Sequence, residues 1–116
     1  MEFKDNSTPY LIKIKKLLDS NYKYPLKISE LARDVGVSES KLQHEFPVAF
    51  GLSILEYHLE VRMSVAKELL EATGRNLKSV AYLVGYKSAE SFIRAFKKRT
   101  GMTPHRYRSR CKSVVK

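Results

Sequence analysis

The sequence predicts an all-α fold of seven helices. Three observations support this class: apolar residues recur at three- and four-residue spacings, no segment alternates apolar and polar residues for long enough to form a strand, and a helix, glycine turn, helix unit occurs twice. With 116 residues, the chain is long enough for one compact domain or for two very small ones that share a core.

The first helix is predicted to start at Pro9, with Ser7 or Thr8 as its cap, because proline is favoured in the first turn of a helix. It should end near Ser20 and Asn21. Its buried face carries apolar residues at helical spacing, namely Tyr10, Leu11, Ile14, Leu17 and Leu18.

The second and third helices form one helix-turn-helix unit. The second covers roughly residues 28–35 and ends at Gly36, which can adopt the left-handed conformation that terminates helices. Ser38 is a good N-terminal cap for the third. A proline inside a helix removes one hydrogen bond and costs ~3 kcal/mol. Pro47 therefore predicts that the third helix kinks, or shortens to about a turn and a half before this residue.

Polar residues before apolar runs mark the starts of the last four helices. These caps are Ser53, which forms a capping box with Glu56, then Asn76, Ser88 and Thr103 before Pro104. The fourth helix is long, about residues 54–73. The chain is thereby divided into a flexible N-terminus (1–8), a first helix-turn-helix subdomain (9–52), a linker helix (53–74), a second helix-turn-helix subdomain (75–110) and a basic tail (111–116).

Composition argues against several classes of protein. One cysteine cannot form an internal disulfide, and three scattered histidines offer no cluster for zinc. No histidine has a partner at catalytic or metal-binding spacing, so we expect no enzyme activity, no metal and no cofactor. The first residues lack an apolar signal core, and no stretch approaches the roughly 18 apolar residues of a membrane span. We expect a cytoplasmic protein with no membrane partner.

The formal net charge of +10 is concentrated toward the C-terminus. Residues 1–90 hold 13 basic and 12 acidic side chains, whereas residues 91–116 hold nine basic and no acidic ones. A field of one sign attracts a polyanion, and nucleic acid is the commonest candidate. A basic segment that only aids solubility is the alternative.

The helix-turn-helix unit is an internal repeat. Shifted by 49 positions, Ile28, Leu31, Ala32 and Gly36 fall on Leu77, Val80, Ala81 and Gly85. After one inserted residue, a shift of 50 places Ser38, Leu42, Phe46, Gly51 and Tyr57 on Ser88, Phe92, Phe96, Gly101 and Tyr107. Two copies, together with the basic skew, favour DNA binding over a purely structural hairpin. The paired tyrosines are expected in the core.

The second helix of each copy has an exposed stripe opposite its buried residues. The stripes are Ser40, Gln43, His44 and Pro47 in the first copy, and Glu90, Ile93, Arg94 and Lys97 in the second. In a major groove, glutamine can pair with adenine, arginine with guanine, glutamate with a cytosine amino group, and an apolar side chain with a thymine methyl. For Ile93, packing on a neighbouring helix is the alternative.

Five stretches carry a long and specific pattern: ISELARDVGVS with LQHEF, Arg62 and Ala66 before a leucine pair, VAYLVGY, SFIRAFKK and GMTPHRYR. Over about residues 11–108 the chain resembles the DNA-binding domain of AraC/XylS-type transcription regulators. The resemblance implies seven helices that form two helix-turn-helix subdomains joined by a long central helix, and sequence-specific reading of two adjacent major grooves of double-stranded DNA. It also implies a separate sensor or dimerisation domain, for which this chain has no residues.

The resemblance carries base-reading positions onto both second helices: Ser40, Gln43, His44, Ala89, Glu90, Ser91, Ile93 and Arg94. Basic side chains nearby are candidates for phosphate contacts. They are Lys41, Lys87, Lys97, Lys98, Arg106 and Arg108. Because Ser40 is small and Pro47 departs from the family pattern, the first subdomain is expected to read fewer bases. Arg62 is expected to pack against or bond across the two subdomains, with a phosphate contact as the alternative, and His58 is expected to be a surface or packing residue.

The central helix supports the two-groove reading. Twenty residues at ~1.5 Å each span ~30 Å, close to the ~34 Å of one DNA turn. Two other functions compete with DNA reading: a helical module that binds an acidic protein partner such as RNA polymerase, and an accessory domain of a DNA-repair enzyme.

Overall fold

The computed structural model describes the backbone of residues 9–115 and the side chains of residues 9–111. This part of the chain contains seven helices and no strand, which confirms the predicted class. The helices are α1 (Pro9–Ser20), α2 (Ile28–Val35), α3 (Glu39–Phe50), α4 (Ile54–Ala72), α5 (Leu77–Leu83), α6 (Ala89–Thr100) and α7 (Pro104–Val115). The predicted flexible N-terminus (1–8), with Ser7 and Thr8 as caps, lies outside the described residues.

The chain divides into two compact units, residues 1–61 and residues 62–116. The boundary falls inside α4, so the segment predicted as a separate linker helix is shared between the units. The last helix extends to Val115, through most of the segment predicted to be a tail, because no glycine or proline interrupts residues 105–115.

The first unit packs α1, α2, α3 and the start of α4 around one apolar cluster. Its buried members are Leu11, Ile14, Leu18, Ala32, Leu42, Phe46, Ala49 and Ile54. Gly36 has a φ of 73°, as its position after α2 requires. The Ser38 hydroxyl accepts a hydrogen bond from the Lys41 N–H at 3.0 Å, which confirms the predicted cap of α3.

The second unit packs the end of α4 with α5, α6 and α7. Its buried cluster consists of Met63, Ala66, Leu70, Val80, Ala81, Val84, Phe92 and Phe96. Asn76 and Ser88 cap α5 and α6 as predicted, at 2.8 and 3.1 Å from their backbone donors. Arg62 is buried, and its guanidinium carbon lies 5.1 Å from the centre of the Tyr86 ring, so it is a packing residue.

The repeat extends to the helix that precedes each helix-turn-helix unit. At a shift of 52 positions, the buried residues of α1 coincide with those of the end of α4: Leu11, Ile14 and Leu18 with Met63, Ala66 and Leu70. We call α1 and residues 62–72 of α4 the scaffold helices. Tyr57 donates to Asp19 of one scaffold helix, and Tyr107 donates to Glu71 of the other, in equivalent positions.

The tyrosines at these positions pack as predicted for core residues. Tyr57 makes an edge contact with Phe46 at 5.8 Å between ring centroids, and Tyr107 makes the same contact with Phe96 at 5.7 Å. Burial and the hydrogen bond to Asp19 raise the pKa of Tyr57. The hydrogen bond to Glu71 and burial raise the pKa of Tyr107, and burial with Glu45 raises the pKa of Tyr10 to about 12.

These tyrosines predict a loss of stability at high pH. An unfolded tyrosine titrates near pH 10, so the stabilisation from the protonated hydroxyls is complete below pH 10 and is lost as the pH rises toward 12. Urea unfolding between pH 9 and pH 11 should show a falling free energy of unfolding, with a shallower fall in Tyr107→Phe. Equal falls in both proteins would contradict a raised pKa of Tyr107 in the folded state.

Helix α3 continues from Glu39 through Phe50 with Pro47 inside it, so the prediction that it shortens to a turn and a half before this proline is wrong, whereas the predicted kink stays a prediction. Two features explain the continuity. Gln43, whose carbonyl lacks the usual N–H donor, is exposed, so water can hydrate that carbonyl. Beyond the proline, Ala49 is buried and Phe50 packs on Phe46 at 4.8 Å between ring centroids, which holds the last turns.

Candidate nucleic-acid interface

The predicted reading face of the first unit lies on the N-terminal half of α3. Ser40, Gln43 and His44 are all exposed, as the helical wheel predicted. Gln43 and His44 are adjacent in sequence, and Ser40 lies one turn before them, so the three side chains share one side of the helix. The structure therefore brings together the three residues predicted to read bases in this unit.

Lys41 is held by a network that the sequence analysis missed. Its Nζ lies 2.9 Å from Oε2 of Glu45, and the Tyr10 hydroxyl donates to the other carboxylate oxygen. The hydrogen bonds from Tyr10 and Lys41 hold the pKa of the Glu45 carboxyl below its usual range. The charge of Lys41 is thus balanced by Glu45. The i, i+4 spacing of Lys41 and Glu45 was the available signal, whereas Tyr10 is 35 residues from Glu45.

The predicted reading face of the second unit lies on α6, where Glu90 and Arg94 are exposed one turn apart. These two side chains lie in the part of the chain that the structure describes, and no ion pair within 4 Å joins them. Ala89, at the first position of the helix, is half-buried. Of the residues of α6 predicted to read bases, Glu90 and Arg94 are therefore the two that are exposed.

Two other residues predicted to read bases have structural roles in this unit. The Ser91 hydroxyl donates to the Ser88 carbonyl at 3.1 Å, and the Ser91 N–H donates to the Ser88 hydroxyl, so Ser91 belongs to the cap of α6. Ile93 is half-buried and packs against the apolar cluster, which was the alternative considered for it. These contacts leave less of either side chain to contact DNA.

Four of the predicted phosphate contacts are exposed in the second unit: Lys87, Lys97, Lys98 and Arg106. Arg108 is placed differently. Its guanidinium donates from Nε to the Leu70 carbonyl at 3.0 Å and from Nη2 to the Thr73 carbonyl at 3.2 Å, so it stabilises the C-terminal end of α4. Arg108 of α7 thus has a structural role at the end of this scaffold helix, and its contact with a phosphate stays a prediction.

The charge is divided unequally between the units. Residues 1–61 hold eight basic and nine acidic side chains, whereas residues 62–116 hold 14 basic and three acidic ones. All of the excess positive charge thus belongs to the second unit. Within the described residues, no group of three His, Cys, Asp or Glu side chains could hold a metal ion, and no helix is long and apolar enough to cross a membrane.

The geometry of each unit is that of a recognition module: a capped helix with exposed polar side chains, held by a second helix across a tight turn. Residues 31–110 match the sequence profile of a family described as "Helix-turn-helix domain". The chain belongs to the AraC/XylS-type helix-turn-helix family. It is a domain of the class that binds DNA in transcription regulators.

The AraC-type domain is similar to parts of longer curated proteins. It is 36% identical over 99 residues to the arabinose operon regulatory protein of Escherichia coli K12, covering 85% of this chain and 32% of the relative. It is 31% identical over 107 residues to the Msm operon regulatory protein of Streptococcus mutans, covering 92% and 38%. The chain thus spans about a third of the length of these relatives. A third relative, AdaA of Bacillus subtilis, is 33% identical over 99 residues, covering 85% of this chain and 47% of the relative, and is named a bifunctional transcriptional activator and DNA repair enzyme.

Solved structures share the fold of this AraC-type domain. The C-terminal domain of AraT, a response regulator from Geobacillus stearothermophilus, has a TM-score of 0.83 and 27% identity, covering 88% of this chain and 85% of that one. An AraC-type transcriptional regulator from Chromobacterium violaceum has a TM-score of 0.82 and 27% identity, covering 92% and 96%. The AdpA DNA-binding domain in complex with a target DNA has a TM-score of 0.82 at 20% identity, covering 90% and 94%, and shows a likeness of fold.

Proposed function

We propose that this AraC-type domain reads double-stranded DNA sequence-specifically, with α3 and α6 as recognition helices in adjacent major grooves, and thereby regulates bacterial transcription. One observation carries the proposal. Glu90 and Arg94 are exposed in the N-terminal half of a capped helix, in the unit that holds all of the excess positive charge. An exposed arginine at this place can pair bidentately with guanine.

The remaining side chains divide into base readers and phosphate ligands. Gln43 of α3 can pair with adenine, and Glu90 of α6 can accept from a cytosine amino group. The cations Lys87, Lys97, Lys98 and Arg106 are exposed, so they can neutralise phosphates. Since Ser40 is small and Lys41 is paired with Glu45, α3 is proposed to contribute fewer contacts than α6.

Further partners are proposed from the relatives. Because the curated relatives are about three times longer than the stretch they share with this chain, a sensor or dimerisation domain is a proposed partner of the DNA-binding domain. RNA polymerase is a second proposed partner, as expected for a regulator of transcription in the cytoplasm. No catalytic chemistry is proposed for the residues of this domain.

Arg94→Ala is expected to weaken binding to the preferred duplex by ~1–3 kcal/mol and to relax the preference at one base pair. The preferred duplex is first obtained by selection from a random pool at a stated salt concentration. Lys98→Ala is the matched comparison. It should weaken binding to all sequences about equally and lower the salt slope by about 1. If Arg94→Ala instead weakens cognate and random duplex alike, Arg94 is a phosphate ligand and its assignment as a base reader is wrong.

A further inference from the structure

The two proposed recognition helices have equivalent places in the repeat but opposite charges. Histidine aside, α3 holds two acidic residues and one lysine, a net charge of −1, whereas α6 holds one acidic residue and four basic ones, a net charge of +3. At the shift of 50 positions, Val48 stands in α3 where α6 has Lys98. Lys41 is thus the one lysine or arginine with which α3 can neutralise a phosphate.

The charge of Lys41 is cancelled by a carboxylate that a second helix holds in place. Lys41 Nζ lies 2.9 Å from Oε2 of Glu45, and the Tyr10 hydroxyl of α1 donates to Oε1 of the same carboxylate. These hydrogen bonds hold the pKa of Glu45 below its usual range, so the carboxylate is ionised at neutral pH. An exposed ion pair is usually weak, partly because both side chains must be ordered. Here the hydrogen bond from α1 already orders the carboxylate, which favours the pair.

The second unit has no such pair on its recognition helix. Lys41 and Glu45 of α3 fall on Ser91 and Ala95 of α6. Ser91 belongs to the cap of α6, and Ala95 packs against the apolar cluster. Among the described residues, no ion pair within 4 Å involves a cation of α6. The cations of α6 can therefore neutralise phosphates, whereas the charge of Lys41 is already balanced.

A balanced ion pair releases no counterions from DNA, because release requires a cation that neutralises a phosphate. Building on the proposed function, we propose that Glu45 is a positioning residue that keeps Lys41 off the DNA backbone. Helix α3 then binds through the base contacts of Gln43 and His44. Because phosphate contacts carry no sequence information, Glu45 makes the binding of α3 depend on the bases that it meets.

The test is the salt dependence of duplex binding by the whole chain, measured by fluorescence anisotropy on the selected duplex and on a random one. In Glu45→Gln, the Tyr10 hydroxyl can still donate to the side-chain oxygen, but the negative charge is absent. The slope of log affinity against log salt should steepen by about 0.9, and the affinity at 0.1 M salt should rise by up to about eightfold on both duplexes. A purely structural role of Glu45 would lower the affinity instead. Lower affinity or an unchanged slope would overturn the proposal.

The double variant Lys41→Ala/Glu45→Gln is the decisive comparison. It removes both charges, so its slope should equal that of the wild type. If Lys41 already neutralises a phosphate in the wild type, the slope of the double variant falls by about 0.9 and the proposal is wrong. Glu60→Gln makes the same change of charge at an exposed position of α4 and should leave the slope nearly unchanged. An equal steepening in Glu60→Gln would show that net charge alone acts.

The two proposals fail in different ways. Equal affinity of the wild type for the selected and the random duplex would contradict sequence-specific reading. The slopes of the four proteins on the random duplex do not depend on that preference, so they test the role of Glu45 separately. Circular dichroism of each variant verifies that its helices are retained.

Discussion

Replacing Lys87, Lys97 and Lys98 together with alanine is expected to weaken DNA binding by a few hundredfold at 0.1 M salt, an order-of-magnitude figure. Each phosphate contact contributes about 0.9 to the slope of log affinity against log salt, so three contacts contribute about 2.7. The three lysines are exposed, and they lie in the unit that holds the excess charge. The loss should be similar for cognate and random duplexes, because phosphates carry no sequence information.

The matched control removes three exposed lysines from the first unit. Lys13, Lys16 and Lys27 carry the same charge, but they lie outside the recognition helix, in a unit with one more acidic than basic residue. The triple alanine variant at these positions should leave the salt slope nearly unchanged. If both triple variants lower the slope equally, the net charge of the chain drives binding and the second unit has no special role.

Phe96→Ala is expected to lower the free energy of unfolding by about 3–5 kcal/mol. Phe96 is fully buried, and its ring lies 5.7 Å from those of both Phe92 and Tyr107. The truncation removes apolar contacts that join α6 and α7, and it leaves a cavity that its neighbours can only partly fill. Urea unfolding measured by circular dichroism gives the free energy.

Val48→Ala serves as the control for packing. Val48 is apolar but 74% exposed, so its truncation should change stability by no more than about 0.5 kcal/mol. A loss below about 1 kcal/mol in Phe96→Ala would contradict the structure of the second unit, because a buried aromatic ring cannot be removed so cheaply.

Much of the fold follows from local rules in the sequence. The caps at Ser38, Asn76 and Ser88 and the turn at Gly36 are all present, since each depends on residues within one turn of the chain. The predicted shortening of α3 before Pro47 is wrong. The local cost of this proline competes with the packing of Phe50 on Phe46, which a local rule does not include.

Less of the site could be predicted from the sequence, because some of its residues form hydrogen bonds with residues that are distant along the chain. The helical wheel correctly predicted most exposed residues of α3 and α6, although Pro47 and Ile93 are half-buried. Arg108, by contrast, bonds to residues 35 and 38 positions away. The repeat in the scaffold helices was also hidden. Its shift of 52 positions differs from the 49 of α2 and α5, since the two connecting segments differ by three residues.

Reading of two adjacent major grooves by two recognition helices can be tested directly by methylation interference at guanine N7 on the selected duplex, because N7 lies in the major groove. We expect two blocks of interference about 10 base pairs apart. Arg94→Ala should remove a contact only from the block read by α6. Gln43→Ala should relax the base preference only in the other block, which is read by α3. A single block, or loss of both blocks in Arg94→Ala, would contradict reading by two helices.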